Sequence, residues 1–143
     1  MSPPDMAPEI IVGTNEHRRV TVLALTAEGH RAEDNDFLFW ELDRARLVPD
    51  GELPADVVRL NSHVQYEDET GTHVARLVAP SESGAPAALS ILTPEGTALF
   101  GLRAGQEIAW RDGQHQRRWL RVVAARNGVD GGKMSPPPAQ TEG

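Results

Sequence analysis

The sequence contains no cysteine among its 143 residues, and only 5% of them are aromatic. The missing cysteines exclude disulfide frameworks, thiolate metal sites and cysteine nucleophiles. No apolar run approaches the roughly 20 residues that a helix needs to cross a bilayer. The N-terminus MSPPDMAPE lacks the basic region and apolar core of a secretory signal. We therefore expect a cytoplasmic protein with no membrane partner.

Positive charge is also scarce, because 14 Lys and Arg face 21 Asp and Glu, for a net charge of -7. This balance argues against binding along a nucleic-acid backbone, and we expect no direct sequence-specific nucleic-acid contact. The length and the 39% apolar content predict one compact domain with a small appendage. The ends, residues 1–8 and 127–143, are rich in Pro, Gly and Ser and are predicted to be disordered tails.

Residues 9–48 predict an antiparallel helical hairpin, a short coiled coil. Thr14 and Asn15 can cap the first helix, which Gly29 ends, and the second helix begins between 34 and 36. Arg44 and Arg46 suit the C-terminal end of the second helix. The apolar stripes comprise Val20, Leu23, Ala24 and Ala27, then Leu38, Leu42 and Ala45. Phe37, Phe39 and Trp40 cannot all face the first helix, so part of this aromatic surface should cover the β domain or a partner.

After a Pro- and Gly-rich boundary at 49–54, the pattern changes to strands. Five segments with partial alternation are VVRLNSHVQY, HVARLVA, AALSIL, EIAWR and RRWLRVVAA. Thr70-Gly71 and Asp112-Gly113 predict tight turns between neighbouring strands. Five strands with one intervening helix predict an α+β fold, with an antiparallel β domain over residues 55–126.

The stretch TPEGTALFGLRAG, residues 93–105, has the glycine spacing of a phosphate loop. It lacks the Lys and the Ser or Thr that such a loop needs after its last glycine. A short helix explains every residue: Thr93 caps it, Pro94 occupies its first position, and Gly101 ends it in the left-handed conformation. Leu102 then supplies the apolar contact that follows such an end. We therefore predict a structural helix, and no nucleotide site.

Other chemistry is weakly represented. The five histidines have no metal-ligand spacing, and the acidic run YEDETG lacks the pattern of a calcium loop, so we expect no metal site and no cofactor. The connection between the two helices carries Glu28, Glu33, Asp34 and Asp36. These carboxylates are either ordinary helix caps or an acidic tip that reaches a basic or metal-bearing site in a partner. Both interpretations stay open.

The last two strands are rich in arginine and carry two tryptophans. Basic side chains interleaved with aromatics can bind single-stranded nucleic acid. An amphipathic strand pair with Arg outside and Trp inside is the commoner arrangement, and the net acidity of the chain favours it. The residues concerned are Arg103, Arg111, Arg117, Arg118, Arg121, Arg126, Trp110 and Trp119.

Several stretches together resemble the nucleoside diphosphate kinase regulator (Rnk) family, which is related to the Gre transcript-cleavage factors through the GreA/GreB C-terminal domain. They are ELDRARLV, LPADVVRLNSHVQY, RLVAP and LTPEGTALFGLRAGQEIAW, within about residues 9 to 126. The resemblance implies an FKBP-like β domain behind a helical hairpin much shorter than that of Gre factors. It also implies binding to RNA polymerase at its secondary channel, in competition with Gre factors and without catalysis.

In the Gre group the turn before the short helix contacts polymerase, which implies docking through Thr93, Pro94 and Glu95. Leu92 departs from the polar or acidic residue that Gre factors tend to have there. We expect a monomeric, non-enzymatic regulator with no small-molecule substrate. Two alternatives stay open: a Gre-like factor that stimulates transcript cleavage through an acidic tip, and a peptidyl-prolyl isomerase, since the implied fold resembles FKBP.

Overall fold

A computed structural model describes residues 8–26, 36–111 and 114–127 of the chain. Within them lie β1 (Ile11–Gly13), α1 (Thr14–Thr26), α2 (Asp36–Arg44), β2 (Arg46–Val48), β3 (His63–Asp68), β4 (Gly71–Val78), β5 (Ala88–Ser90), α3 (Pro94–Leu99), β6 (Glu107–Arg111) and β7 (Arg117–Arg126). The fold is mixed α+β, with a five-stranded sheet and three α-helices among these residues. None of the described helices is both long enough and apolar enough to span a bilayer.

The large sheet has the strand order β5-β4-β3-β7-β6. β3 pairs antiparallel with β4 and with β7, and β6 pairs antiparallel with β7. β5 pairs parallel with β4, in the register Leu77↔Leu89. The prediction of a purely antiparallel domain is therefore wrong at β5. The physical reason is that the chain between β4 and β5 includes a short helical turn at Pro80–Glu82 and returns along the sheet edge, so it makes no tight hairpin.

The predicted first strand of the β domain also begins later than expected. Residues 57–62 form a loop with a turn at Leu60 and Asn61, and β3 starts only at His63. Val58 donates its backbone N–H to the carbonyl of Leu102 at 2.8 Å and accepts from Gly101 at 2.9 Å. These bonds fix the 57–62 segment against the end of α3, so its apolar residues enter the core without joining the sheet.

A second, two-stranded sheet was not expected from the sequence. β1 pairs parallel with β2, with Ile11 opposite Arg46. The sequence pattern predicts Arg46 at the C-terminal end of the second helix. That prediction is wrong, because α2 ends at Arg44 and Arg46 begins β2. The N–H of Ile11 donates to the carbonyl of Gly101 at 3.3 Å. β1 therefore bonds to the β domain on one side and to the end of the helical segment on the other.

The N-terminal end of α1 is capped from a distance. Asp50 accepts hydrogen bonds from the backbone N–H of Asn15 at 2.7 Å and of Glu16 at 3.2 Å. The hydroxyl of Thr14 instead donates to the carbonyl of Val48. The carboxylate of Asp50 therefore caps α1, in place of the local cap that Thr14 or Asn15 was expected to provide.

The helices lie side by side and pack onto the β domain. His17 of α1 contacts the carbonyl of Leu42 of α2, with its Nε2 2.9 Å away. Phe37 of α2 stacks against Trp110 of β6, with ring centroids 5.6 Å apart. From the sequence, the aromatic residues at the start of α2 are expected to cover either the β domain or a partner. Phe37 covers the β domain. The residues between α1 and α2 lie outside the described ones.

Two carboxylates are buried at the base of the helices. Glu41 is fully buried and forms a two-point ion pair with Arg44, at 2.9 and 2.7 Å. Arg44 also donates to the carbonyl of Pro8, so contacts of the fold begin one residue inside the predicted tail. Burial raises the pKa of Glu16, against the opposing attraction of Arg59. Such buried charges need partners, because desolvation of an unpaired carboxylate is costly.

Candidate functional site

The start of α3 is a rigid, capped turn, as the sequence predicts. The hydroxyl of Thr93 accepts from the N–H of Gly96 at 3.0 Å and donates to the carbonyl of Ser90 at 2.7 Å. Pro94 occupies the first helical position. α3 ends before Gly101, whose φ of 84° is the predicted left-handed conformation, and Leu102 is buried beside it. Local sequence signals therefore determine the whole element.

Gly96 lets α3 lie directly on the chain that precedes it. A Cβ at this position would stand 2.1 Å from the carbonyl oxygen of Ser90. Thr97, also buried, donates its hydroxyl to the carbonyl of Ile91 at 2.8 Å. These contacts hold the turn from two sides, so Pro94 and Glu95 sit on a fixed backbone.

Three residues form the surface that we call the docking surface: Thr93, Pro94 and Glu95. Pro94 is exposed, and Thr93 and Glu95 are half-buried. Leu92 precedes them and is only 6% exposed. The leucine that departs from the Gre pattern therefore belongs to the core, and it offers no side chain to a partner at this surface.

Two further residues at this surface were missed by sequence reasoning. Arg118 of β7 lies 3.4 Å from a carboxylate oxygen of Glu95 and 3.4 Å from one of Glu69. Glu69 also accepts from the N–H of Trp119 at 3.4 Å. No local signal could have joined these residues, because they come from the β3–β4 turn, from α3 and from β7.

The electrostatic environment beside the docking surface is acidic. Burial raises the pKa of the Tyr66 hydroxyl, and the negative charges of Asp68 and Glu95 raise it further. Hydrogen bonds from Thr70 and His73 outweigh burial at Asp68 and lower the pKa of its carboxyl. Asp68 therefore stays ionised in a small turn cluster, while Tyr66 stays neutral and stacks on His73 at 5.2 Å.

The residues proposed for the acidic tip are placed only in part. Asp36 begins α2 and is half-buried there. Glu28, Glu33 and Asp34 lie outside the described residues. The two interpretations of these carboxylates, helix caps or a partner contact, are therefore both still open.

The arginine-rich strands follow the expected pattern only in part, because Arg118 lies on the same face as the buried Leu120 and Trp119 lies on the opposite face. Trp110 is buried at 2% exposure, and Trp119 is half-buried. Ion pairs join Arg103 to Asp56, Arg121 to Glu67, and Arg118 to Glu69 and Glu95. Carboxylates balance these arginines, which favours the structural interpretation over a surface for single-stranded nucleic acid.

The described part of the molecule offers little for a small ligand or an ion. In that part, no group of three or more His, Asp or Glu side chains is arranged to hold a metal ion. An open cavity of about 750 Å³ separates the end of α1 from β5, and its lining includes Leu23, Leu89 and Thr93. Smaller ones, of about 370 and 330 Å³, lie between the helices and on the outer face of the sheet. The cavity between the helices is lined by His17, Thr21 and Asp43, and the hydroxyl of Thr21 donates to the backbone carbonyl of His17 at 2.8 Å.

Comparisons with known proteins agree with this architecture. Residues 53–127 match the family model described as "Transcription elongation factor, GreA/GreB, C-term". The chain is 34% identical over 106 residues to "Regulator of nucleoside diphosphate kinase" of Escherichia coli strain K12, which covers 72% of this chain and 78% of that protein. The protein of the same name from Shigella flexneri matches to the same extent.

Among solved structures, the chain resembles "Prokaryotic transcription elongation factor GreA/GreB from Nitrosomonas europaea". The two are 31% identical with a TM-score of 0.61, over 83% of this chain and 98% of the other. The matched model covers the docking surface, and the curated relatives extend the likeness over most of the chain. The chain therefore belongs to the family of nucleoside diphosphate kinase regulators and carries the C-terminal domain of the GreA/GreB transcription elongation factors.

Proposed function

We propose that this protein is a non-enzymatic transcription regulator that binds RNA polymerase at its secondary channel. One observation carries the proposal: residues 53–127 match the GreA/GreB C-terminal domain, and that range contains Thr93, Pro94 and Glu95. A transcription-associated role follows from the family, and the polymerase contact follows from the resemblance to Gre factors. The proposal extends to competition with those factors for the same position on the enzyme.

The geometry of the docking surface supports this role. The turn is held by the hydroxyl of Thr93 and by the close contact at Gly96, and Pro94 stands exposed at its apex. Because the turn is already rigid, it loses little conformational entropy when a partner binds. Ordering of this surface therefore lowers the affinity only slightly. Gre factors would be expected to meet the same polymerase segment with the corresponding turn.

The helices are short, which supports regulation without catalysis. Among the described residues, α1 has 13 residues and α2 has 9. At 1.5 Å per residue, they extend roughly 20 and 14 Å, several times less than the Gre coiled coil that the resemblance implies. We propose that a tip formed by Glu28, Glu33, Asp34 and Asp36 falls short of the catalytic magnesium ions, and so contacts the channel without supporting hydrolysis.

The primary test is retention of the purified protein on immobilised core polymerase, beside a Gre factor as positive control. We expect retention that a Gre factor reverses. Pro94→Ala removes the exposed ring at the first helical position and should weaken binding about fivefold, a loss of roughly 1 kcal/mol. Pro49→Ala is the control, because Pro49 is also exposed and lies at the start of a helical turn, Asp50–Glu52, outside the docking surface. No retention at concentrations where the Gre factor binds would refute the proposal.

The alternative, stimulation of transcript cleavage, is tested separately on a stalled elongation complex. We expect no shortened transcripts when the protein is added, whereas a Gre factor should produce them. A photocrosslinker at Glu33 or Asp34 reports how deep the tip reaches, and we expect crosslinks to the channel wall. Crosslinks to the active centre together with shortened transcripts would establish the alternative.

Several properties accompany the proposal as predictions. We propose a cytoplasmic monomer with no cofactor, no small-molecule substrate and no sequence-specific nucleic-acid contact. The division into a helical hairpin at 9–48 and an FKBP-like domain at 55–126 likewise stays a prediction. Asn127 accepts a hydrogen bond from Ser62 at 3.0 Å, so the contacts of the fold reach at least one residue beyond that second range.

A further inference from the structure

Arg118 connects the docking surface to a distant turn. Its Nη2 lies 3.4 Å from an oxygen of Glu95 at the start of α3, and its Nε lies 3.4 Å from an oxygen of Glu69, which follows β3. The side chains of Arg118 and Glu95 are each 29% exposed. The guanidinium has donors in a fixed planar arrangement, so a contact with two carboxylates orients both of them.

Strand register explains why this arginine differs from its neighbours on β7. Arg118 pairs with Trp110 of β6, and the next residue but one, Leu120, is fully buried. Because side chains alternate across a strand, Arg118 lies on the same face as that core residue, at its edge. Arg121 is on the opposite face, where it pairs with Glu67. Arg118 is therefore directed toward α3, and Arg121 is directed away from the core.

We propose that Arg118 is a positioning residue for polymerase docking, which holds the carboxylate of Glu95 in the orientation that the polymerase meets, with Glu69 as its second anchor. The inference rests on the proposed function of the docking surface. Glu95 on its own is a side chain with three rotatable bonds on an exposed helical turn. An oriented carboxylate loses less side-chain entropy on binding than a mobile one, and this is how Arg118 contributes without touching the partner.

The acidic surroundings agree with this role. Burial is the main cause of the raised pKa of the Tyr66 hydroxyl, and the charges of Asp68 and Glu95 add to it, so both carboxylates lie near this ring. Without the guanidinium, Glu95 and Glu69 would each lose the cation that lies 3.4 Å from its carboxylate. A neutral replacement of Arg118 should therefore release Glu95 from its fixed orientation at the docking surface.

The test measures the dissociation constant of core polymerase for five variants: Arg118→Gln, Arg118→Lys, Glu69→Gln, Glu95→Gln and the double variant R118Q/E95Q. We expect Arg118→Gln and Glu95→Gln each to weaken binding about fivefold, the upper range for a partly exposed ion pair. Arg118→Lys should recover part of that loss, because an ammonium keeps the charge without the planar geometry. Glu69→Gln should cost about twofold.

The double variant separates positioning from direct contact. If Arg118 acts through Glu95, R118Q/E95Q should bind about as well as Glu95→Gln alone, because both substitutions remove the same oriented carboxylate. Multiplied losses would show that Arg118 contacts polymerase itself and would overturn the inference. The matched control is Arg121→Gln, another β7 arginine in an ion pair, which should leave binding unchanged.

Failure of the inference and failure of the proposed function give different results. If the unsubstituted protein does not bind polymerase, the proposed function fails. If it binds and Arg118→Gln behaves like Arg121→Gln, the inference alone fails. Thermal unfolding of each variant shows whether it is folded at the assay temperature. Should Arg118→Gln be unfolded there, Glu69→Gln and Arg118→Lys decide, and full binding by both would overturn the inference.

Discussion

Gly96 keeps the docking surface in position because it has no side chain. Gly96→Ala would place a Cβ 2.1 Å from the carbonyl oxygen of Ser90, a backbone atom that cannot move aside cheaply. We expect a loss of about 1–3 kcal/mol in the free energy of unfolding, measured by urea denaturation. Gly51→Ala is the control, because nothing lies within 4 Å of its Cβ position, and it should change stability by less than about 0.5 kcal/mol. Equal effects of the two substitutions would contradict the close contact.

Glu16 should make stability depend on pH in an unusual direction. Burial raises the pKa of its carboxyl above the ordinary value of 4.5, so the folded protein holds this proton more tightly than the unfolded chain does. The stabilising contribution of this group is therefore fully present below pH 4.5 and is lost as pH rises through the raised pKa. Relative to Glu16→Gln, the wild type should gain stability as pH falls from neutral to 4.5.

Urea denaturation of both proteins across that range measures the difference, and the titration of other carboxylates cancels in it. A difference that does not change with pH would show that the carboxyl has its ordinary pKa in the folded state.

The docking residues illustrate what the sequence can predict at this scale. Thr93, Pro94 and Gly101 are placed correctly because a cap, a first-turn proline and a left-handed glycine act on their nearest neighbours. Arg118 and Glu69 could not be predicted as part of the same surface. Their meeting depends on the register of β6 with β7 and on the position of the β3–β4 turn, and neither is determined locally.

At the scale of elements, α1 and α3 begin in different ways. α3 carries its own cap in Thr93, whereas α1 takes its cap from Asp50, far along the chain. Apolar periodicity predicted α1, whereas the cap, the first-turn proline and the terminal glycine predicted α3, and all these signals lie within each element. The cap of α1 could not be predicted, because Asp50 reaches the helix only when residues 46–52 have folded against it. The sequence thus indicates that α1 exists, and tertiary contacts determine how it starts.

Removal of that distant cap should destabilise the protein more than an ordinary surface carboxylate does. Asp50→Ala leaves the first N–H groups of α1 without their acceptor and removes an ion-pair partner of Arg59, 3.5 Å away. We expect a loss of about 1–2 kcal/mol in the free energy of unfolding. Asp56→Ala, which breaks the more exposed pair with Arg103, should cost about 0.2–1 kcal/mol. Loss of the same free energy in both would mean that Asp50 acts only as a surface charge.

The strands show the same limit. Partial alternation predicted β3, β4, β6 and β7, and β6 and β7 form over their predicted segments, whereas β3 begins later than predicted. The direction of β5 could not be read from its three residues, because a short apolar run pairs equally well in either orientation. β1 and β2 have three residues each and pair across the whole helical segment. Such short strands owe their existence to neighbours and not to their own sequence.

At the scale of the molecule, β1 joins the helical segment to the β domain. Ile10 precedes it and is fully buried, and the Cβ position of Gly101 lies 2.9 Å from the Cβ of Ile10. The chain is thus bonded to β2 through Arg46 and to the end of α3 through Gly101, within two successive residues. The helices and the sheet should therefore unfold together.

Ile10→Ala tests that coupling. We expect a loss of about 2–4 kcal/mol in the free energy of unfolding, the usual range for a fully buried isoleucine. Helical circular dichroism and tryptophan fluorescence should give the same transition midpoint, before and after the substitution, because Phe37 of α2 packs on Trp110 of β6. Leu25→Ala is the control, since Leu25 is 70% exposed. Two separate transitions in the wild type would show that the segments unfold independently.

The position of β1 also has a consequence for synthesis on the ribosome. β1 is made before the β domain, and the carbonyl of Gly101 that binds it is made only after α1, α2 and the strands β2 to β5. The helical segment therefore leaves the ribosome with its inner face uncovered, and it must wait for the β domain before it can close. We infer that nascent chains stalled before Gly101 are sensitive to protease in residues 10–26 and 36–48, and that this sensitivity disappears only after β6 and β7 have also cleared the exit tunnel, because Phe37 packs on Trp110 and β7 pairs with β3.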